Sequence, residues 1–168
     1  FVSIKFCLGS YMWLTPPAAG GPDDIAECDA SLRRLGVDRI DLLQHHWPAS
    51  NPIEETARAR EELLRAGKIR AIGVSNYSVE QLEAWRATGV PLHSLQSPYS
   101  ILRPAVKTTV LPWCADRGVG VIAYSPLFRG LLFGTWTKDK TFPEGDARGT
   151  HKDYSGARFA RHIDAVQE

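Results

Sequence analysis

Apolar residues recur along this chain in two alternating rhythms. Short runs at residues 1–4, 39–44, 69–74, 92–95 and 119–123 are rich in Ile, Leu and Val and have strand length. Between them the apolar positions switch to helical spacing. Pro22, Asp23 and Asp24 open a predicted helix whose Ile25, Cys28, Leu32 and Leu35 share one face, and Gly36 stops it. The next helix is predicted from Asn51 as cap and Pro52 in the first turn to Ala66, with Ile53, Ala57, Leu63 and Leu64 apolar. Ser78 caps a predicted helix over 79–87 that turns Leu82 and Trp85 inward. Pro104 opens another that reaches about Asp116; Pro112 inside it predicts a kink or break. A last helix is predicted to start near Tyr154. Residues 6–22, with Pro16, Pro17, Gly20 and Gly21, read as a long loop, and residues 135–151 as irregular chain.

Strand, helix and strand in alternation predict a parallel sheet covered by helices. The segment 39–76 is the clearest such crossover. Two architectures compete, a closed eightfold barrel and an open doubly wound sheet. The open sheet usually marks its nucleotide site with GxGxxG after the first strand, and none is present. Polar residues instead sit at the carboxyl ends of five strands: Lys5, His46, Ser75 with Asn76, Gln96, and Tyr124 with Ser125. Groups converging from many strands are how a barrel builds a site. The expectation is therefore an incomplete (β/α)8 TIM barrel, one partial domain over residues 1–168 with about five of the eight units. The chain starts with Phe inside an apparent strand, which suggests a piece of a longer protein. An open partial barrel exposes strand edges, so the isolated piece is expected to aggregate, swap or dimerise. The sequence names no particular oligomeric state.

Composition narrows the functional classes. Lys and Arg number 20 against 19 Asp and Glu, giving a net charge of +1 with no basic stripe. Nucleic acid is not an expected partner. The opening FVSIKFCLGSYMWL is short, is interrupted by Lys5 and lacks a clear cleavage site, so neither a leader nor a membrane span is expected. Cys7, Cys28 and Cys114 are far apart and form no CxxC pair. Disulfides and zinc are not expected, and a reducing cytoplasm is the simpler setting. No carboxylate cluster suits the metal of an isomerase-type barrel.

The segments SLRRLGVDRIDLLQHHWP, PIEETARAREELLRAGKIRAIGVSN, LQSPYS and AYSPLFRGLLFG carry a resemblance to the aldo-keto reductase family over nearly the whole chain. YSPLFRGLL and TFPEGD resemble its bacterial and plant branch. The resemblance implies NADPH-dependent reduction of a small-molecule aldehyde or ketone to an alcohol, and the reverse. The family's catalytic set is Asp, Tyr, Lys and His. Lys5, after VSI, matches the lysine, and His46, directly before Trp47 and Pro48, matches the histidine; His45 does not. The family's Asp and Tyr precede the lysine strand, ahead of Phe1. A phenol has a pKa near 10, and a neighbouring lysine cation lowers it; this is the role implied for Lys5. His46 would hydrogen-bond the carbonyl oxygen. Without the Asp and Tyr, these 168 residues alone are expected to show little or no reductase activity.

The resemblance also implies cofactor contacts. Ser75, Asn76 and Gln96 would bind the nicotinamide carboxamide, and Tyr124 would stack under its ring. Ser125, Leu127, Arg129, Gly130 and Leu131 resemble the pyrophosphate-binding segment. Phe128 stands where the branch often has Gly, so the loop is expected to shift. The family's adenosine 2′-phosphate residues follow a further strand, after Glu168. No metal is implied. Each site residue also has a plainer role open to it: surface lysine, buried histidine, turn former or core aromatic. Asp41 reads as a buried structural hydrogen-bonder rather than the catalytic acid. Tyr11 could substitute as the acid, but nothing fixes its distance from Lys5. Trp13, Trp47 and Trp136 line an apolar cleft or simply pack. The competing reading is a non-catalytic barrel module that keeps partial cofactor affinity.

Overall fold

A computed structural model describes residues 1–6, 22–48 and 50–168. The long loop predicted over 6–22, with Cys7, Tyr11 and Trp13, lies almost wholly outside the described residues. Five strands, β1 (Ser3–Phe6), β2 (Ile40–His45), β3 (Ile69–Ser75), β4 (Ser94–Pro98) and β5 (Gly120–Tyr124), form one sheet in sequential order. The β1–β2, β2–β3 and β3–β4 pairings are all parallel. The helices are α1 (Pro22–Leu35), α2 (Ile53–Arg65), α3 (Val79–Ala87), α4 (Val110–Asp116) and α5 (Gly156–Gln167). Among the described residues, no helix is long and apolar enough to cross a membrane.

The strands end one to three residues further along than the apolar pattern predicts, with β4 ending at Pro98 rather than Leu95. Lys5 therefore stands within β1, and the polar ends Gln44, His45 and Ser75 still belong to the ladder. Backbone pairing is indifferent to side-chain polarity, so apolar runs mark where a strand is buried rather than where it stops.

Chain packing divides the structure into two compact units, Phe1–Ser97 with Ala105–Tyr124, and Pro98–Pro104 with Ser125–Glu168. In the first, one sheet face packs against the helices. Leu43, Ile72, Val74 and Leu95 meet Cys28 of α1, Ala57 and Leu63 of α2, Leu82 and Trp85 of α3, and Val110, Trp113 and Cys114 of α4. Cys28 and Cys114 are buried free thiols. Leu35, expected on the inner face of α1, is half exposed because the helix ends there and Gly36 turns the chain at φ 65°. Asn51 is not the cap of α2: Pro52 takes that position, and no side chain caps the helix. Ser78 does cap α3, in a capping box with Gln81.

The helix expected from Pro104 is broken. A 3₁₀ turn, Ala105–Thr108, is followed by Thr109 at φ −126°, ψ −75°, and α4 begins at Val110. A continuous helix would set the Pro112 ring against the carbonyl of Thr108 and lose one hydrogen bond. Restarting at Val110 moves Pro112 into a first turn, where its missing N–H costs nothing.

The second unit has its own core of Phe128, Leu131, Tyr154, Phe159 and Ile163, with Trp136 and Phe142 packed against it. Trp136 thus packs inside this unit. At the edge of the sheet, Val121 and Ile122 of β5 are exposed.

Register fixes which side chains share a face, because laterally paired residues in parallel strands project together. Lys5 pairs with Gln44, Gln44 with Gly73, and Gly73 with Ser94, while Ser75 pairs with Gln96. Gly73 sits in the middle of this row, and a Cβ there would stand 2.5 Å from Ser94 Oγ and 2.8 Å from Gln44 Cγ. Alanine normally strengthens a strand relative to glycine. Here Gly73→Ala should instead destabilise by about 1–3 kcal/mol through overpacking. Urea unfolding checks this; an unchanged or raised midpoint would refute the packing described.

Candidate active site at the strand carboxyl ends

His45 and His46 are neighbours with opposite fates. His45 ends β2 and points into the helix-covered core, where its Nδ1 shares a 2.8 Å hydrogen bond with the Tyr77 hydroxyl. Successive residues of a strand face opposite sides, and His46, one step on, is half buried beside Lys5. The distinction between the two histidines drawn from the sequence is thus a geometric one as well.

Six of the expected site residues come together at the carboxyl ends of the strands. Lys5 Nζ donates to Gln96 Oε1 and lies 5.7 Å from the centre of the Tyr124 ring. Asn76 Nδ2 donates to the His46 carbonyl at 3.0 Å and to Ser75 Oγ at 3.1 Å. The Tyr124 hydroxyl donates to Asn76 Oδ1 at 2.8 Å. Asn76 adopts a left-handed backbone, φ 64°, and its N–H reaches the Gln96 carbonyl at 2.9 Å. Asparagine tolerates that conformation better than most side chains. Trp47 is half exposed, with its ring 5.5 Å from that of His46.

Electrostatics follow from this crowding. Burial pulls the Lys5 amine below its ordinary pKa. Burial, then the Lys5 charge, pulls His46 down as well, so its ring is neutral near pH 7 and keeps one N–H to donate. Among the described residues, no group of His, Cys, Asp or Glu is arranged to hold a metal ion.

The other five expected residues, Ser125, Leu127, Arg129, Gly130 and Leu131, belong to the second unit. Ser125, Phe128 and Arg129 have φ of 53°, 48° and 51°. Phe128 is accommodated by this turn: its ring is buried in the second core and its carbonyl accepts from the Tyr154 hydroxyl at 3.2 Å. Gly130 is required twice over, by φ 105° and by Trp136, whose ring a Cβ would meet at 3.0 Å.

Asp41 bonds the N–H of Val2 at 2.8 Å and Arg70 at 2.9 Å. It is a structural acceptor, as expected, but partly exposed rather than buried. Reading the sequence missed the polar support behind the site. Arg60 of α2 and Asp24 of α1 form a wholly buried ion pair at 3.1 Å. The Arg60 charge also acts on Tyr77 and His45. One signal was available: Arg60 falls between Ala57 and Leu63 on the apolar stripe of α2, where a charge needs a partner. Nothing in the sequence marks Tyr77 as the partner of His45.

A cavity of about 430 Å³ lies at the opposite ends of β4 and β5, lined among others by Leu82, Trp85, Arg86, Trp113 and Arg117. Its residues precede those strands, the end at which β/α barrels keep stability rather than chemistry.

Comparison with known proteins places the chain in a family. The sequence profile of the Aldo/keto reductase family matches residues 2–168. The chain is 43% identical over 145 residues to the aldo-keto reductase YhdN of Bacillus subtilis, covering 86% of this chain and 44% of that protein. It is 39% identical over 152 residues to the NADH-specific methylglyoxal reductase of Escherichia coli, covering 88% and 46%. Among solved structures, glycerol dehydrogenase AKR11B4 from Gluconobacter oxydans superimposes with a TM-score of 0.77 at 39% identity, over 84% of this chain and 43% of that one. An aldo/keto reductase from Klebsiella pneumoniae in complex with NADP and acetate gives 0.66 at 32%, over 77% and 44%. The chain belongs to the aldo/keto reductase family, whose fold class is the TIM barrel. It spans about half the length of the curated relatives it matches.

Two predictions follow from the histidines. Burial, reinforced by Arg60, lowers His45 from an ordinary 6.5 to about 4. Unfolded, His45 protonates near pH 6.5; folded, it resists until about 4. Stability is therefore fully present above 6.5 and declines as pH falls towards 4, by about 3 kcal/mol in all. Urea unfolding at pH 7, 5.5 and 4 should show this decline diminished in His45→Gln; equal slopes in the two proteins would contradict it. For His46, Lys5→Met removes a nearby positive charge, so the imidazole pKa should rise. An NMR pH titration that finds it unmoved would separate the two side chains.

Proposed function

We propose that the protein carrying this chain reduces aldehydes or ketones to alcohols with NADPH. The observation that carries this reading is the convergence of Lys5, His46, Ser75, Asn76, Gln96 and Tyr124 from five strands on one rim. The donor set suits a nicotinamide. Asn76 and Gln96 each offer both a donor and an acceptor, as a carboxamide requires, and Ser75 adds a hydroxyl. Tyr124 supplies a flat ring for stacking. When bound, the cofactor supplies the hydride. The aldo/keto reductase from Klebsiella with NADP bound supports the cofactor class, while the NADH-specific relative in E. coli leaves the phosphorylated form as our proposal.

The remaining chemistry falls to the side chains. His46, neutral near pH 7, donates a ring N–H to the substrate carbonyl oxygen and orients it. Lys5 is a cation in a partly desolvated place, suited to lowering the pKa of a neighbouring phenol. Its partner among the described residues is the neutral amide of Gln96. No residue here matches the family's upstream Tyr and Asp, so the 168 residues by themselves should turn over little substrate. Ser125, Leu127, Arg129, Gly130 and Leu131 are proposed to meet the cofactor's pyrophosphate. The family match runs through both compact units, which supports reading them as one domain.

In the protein that carries these strands, Lys5→Met should lower kcat by about a hundredfold or more, with NADPH affinity kept within a few-fold. His46→Ala should lower kcat similarly and raise KM. Carbonyl-dependent NADPH oxidation measures both. Unchanged turnover in Lys5→Met would refute the assignment, and NADPH binding without turnover of any aldehyde or ketone would favour the non-catalytic module.

A further inference from the structure

Non-glycine residues with positive φ are few among the described residues: Asn76, Ser125, Phe128 and Arg129. Three of the four crowd into one turn that continues through Gly130. Each such residue is strained for an L side chain and persists only where its surroundings hold it. Two side chains from the following segment do so here. The Tyr154 hydroxyl donates to the Phe128 carbonyl at 3.2 Å, and Arg148 Nη1 donates to the Arg129 carbonyl at 3.2 Å. The two successive left-handed residues are thus each held by their carbonyl.

Arg148 is itself fixed on its other sides. Its Nε and Nη2 fork onto Asp146, at 3.0 and 2.7 Å. Its guanidinium lies 5.5 Å from the Trp136 ring centre and 4.9 Å from that of Phe142. A planar fork locked at one edge and stacked on its face has one direction left for Nη1, and the Arg129 carbonyl is there. A lysine keeps the charge but not the fork.

We infer that Arg148 and Tyr154 are positioning residues that hold the Phe128–Arg129–Gly130 turn left-handed and so set the Leu127–Leu131 segment for the diphosphate of the dinucleotide. The inference rests on the cofactor reading above. It separates holding the turn from supplying charge: Arg148 acts through its hydrogen bond, and its positive charge is already matched by Asp146.

The test is NADPH binding, followed by quenching of tryptophan fluorescence, in the full protein and in Arg148→Lys, Arg148→Ala and Tyr154→Phe, each checked for an intact near-UV spectrum. Arg148→Lys and Arg148→Ala should weaken binding alike, by about tenfold, and Tyr154→Phe by about three- to tenfold. At saturating NADPH, kcat should stay within about twofold. In an Arg129→Gly background, where the turn is no longer strained at that residue, the same Arg148→Lys change should cost less than about twofold. Affinity retained in Arg148→Lys but lost in Arg148→Ala would show a charge contact and overturn the inference. So would a Tyr154→Phe protein that binds as the parent does. A parent protein that shows no NADPH binding at all would instead remove the cofactor reading on which the inference stands.

Discussion

One amide side chain does most of the joining at this rim. Asn76 uses its nitrogen on the carbonyl that follows β2 and its oxygen on a hydroxyl at the end of β5, while its backbone N–H reaches β4. Ladder pairing sets the strands side by side but leaves their ends free to fray. Asn76 removes that freedom by spending its donor and acceptor on different strands, and its left-handed backbone turns the side chain across the rim. Neutral groups suffice for this. A cation in the same place would carry a desolvation cost that no carboxylate among the described rim residues offsets.

The opposite face of the sheet supports the same ends from behind. His45 and Tyr77 bind each other in the core, and the buried Arg60–Asp24 pair joins α2 to α1 beside them. Breaking such a pair leaves a buried charge, so replacing one partner costs far more than the pair contributes. The low local dielectric that makes this network costly also makes it specific. His46 therefore projects from a strand whose previous residue is held on the far side. Its own ring is kept neutral by burial and by the lysine across from it.

Much of this was legible in the residues. Apolar runs locate every strand to within one to three positions, and the polar residues at their ends mark the rim. The family motifs separated His46 from His45, and the pleat gives the physical reason. What could not be read came from contacts distant in sequence. Asn76 and Tyr124 are 48 residues apart, and no local pattern foretells their hydrogen bond. Arg60 looked like one more charge on a charged helix, though its spacing placed it on the buried stripe. The break at Thr109 lay three residues before the proline that causes it, because Pro112 disfavours the turn preceding it. Phe128 implies a shifted loop, but no local pattern shows that its turn takes a left-handed backbone or that its ring is buried in the second core.

The account comes down to whether the amide and phenol groups on the rim receive a nicotinamide. The most direct measurement is a crystal structure of the protein carrying this chain, grown with NADP+. The account predicts the nicotinamide ring against Tyr124, with its carboxamide within hydrogen-bonding distance of Asn76 and Gln96. A dinucleotide seated elsewhere, with Lys5 still bound to Gln96 and Tyr124 still bound to Asn76, would contradict it.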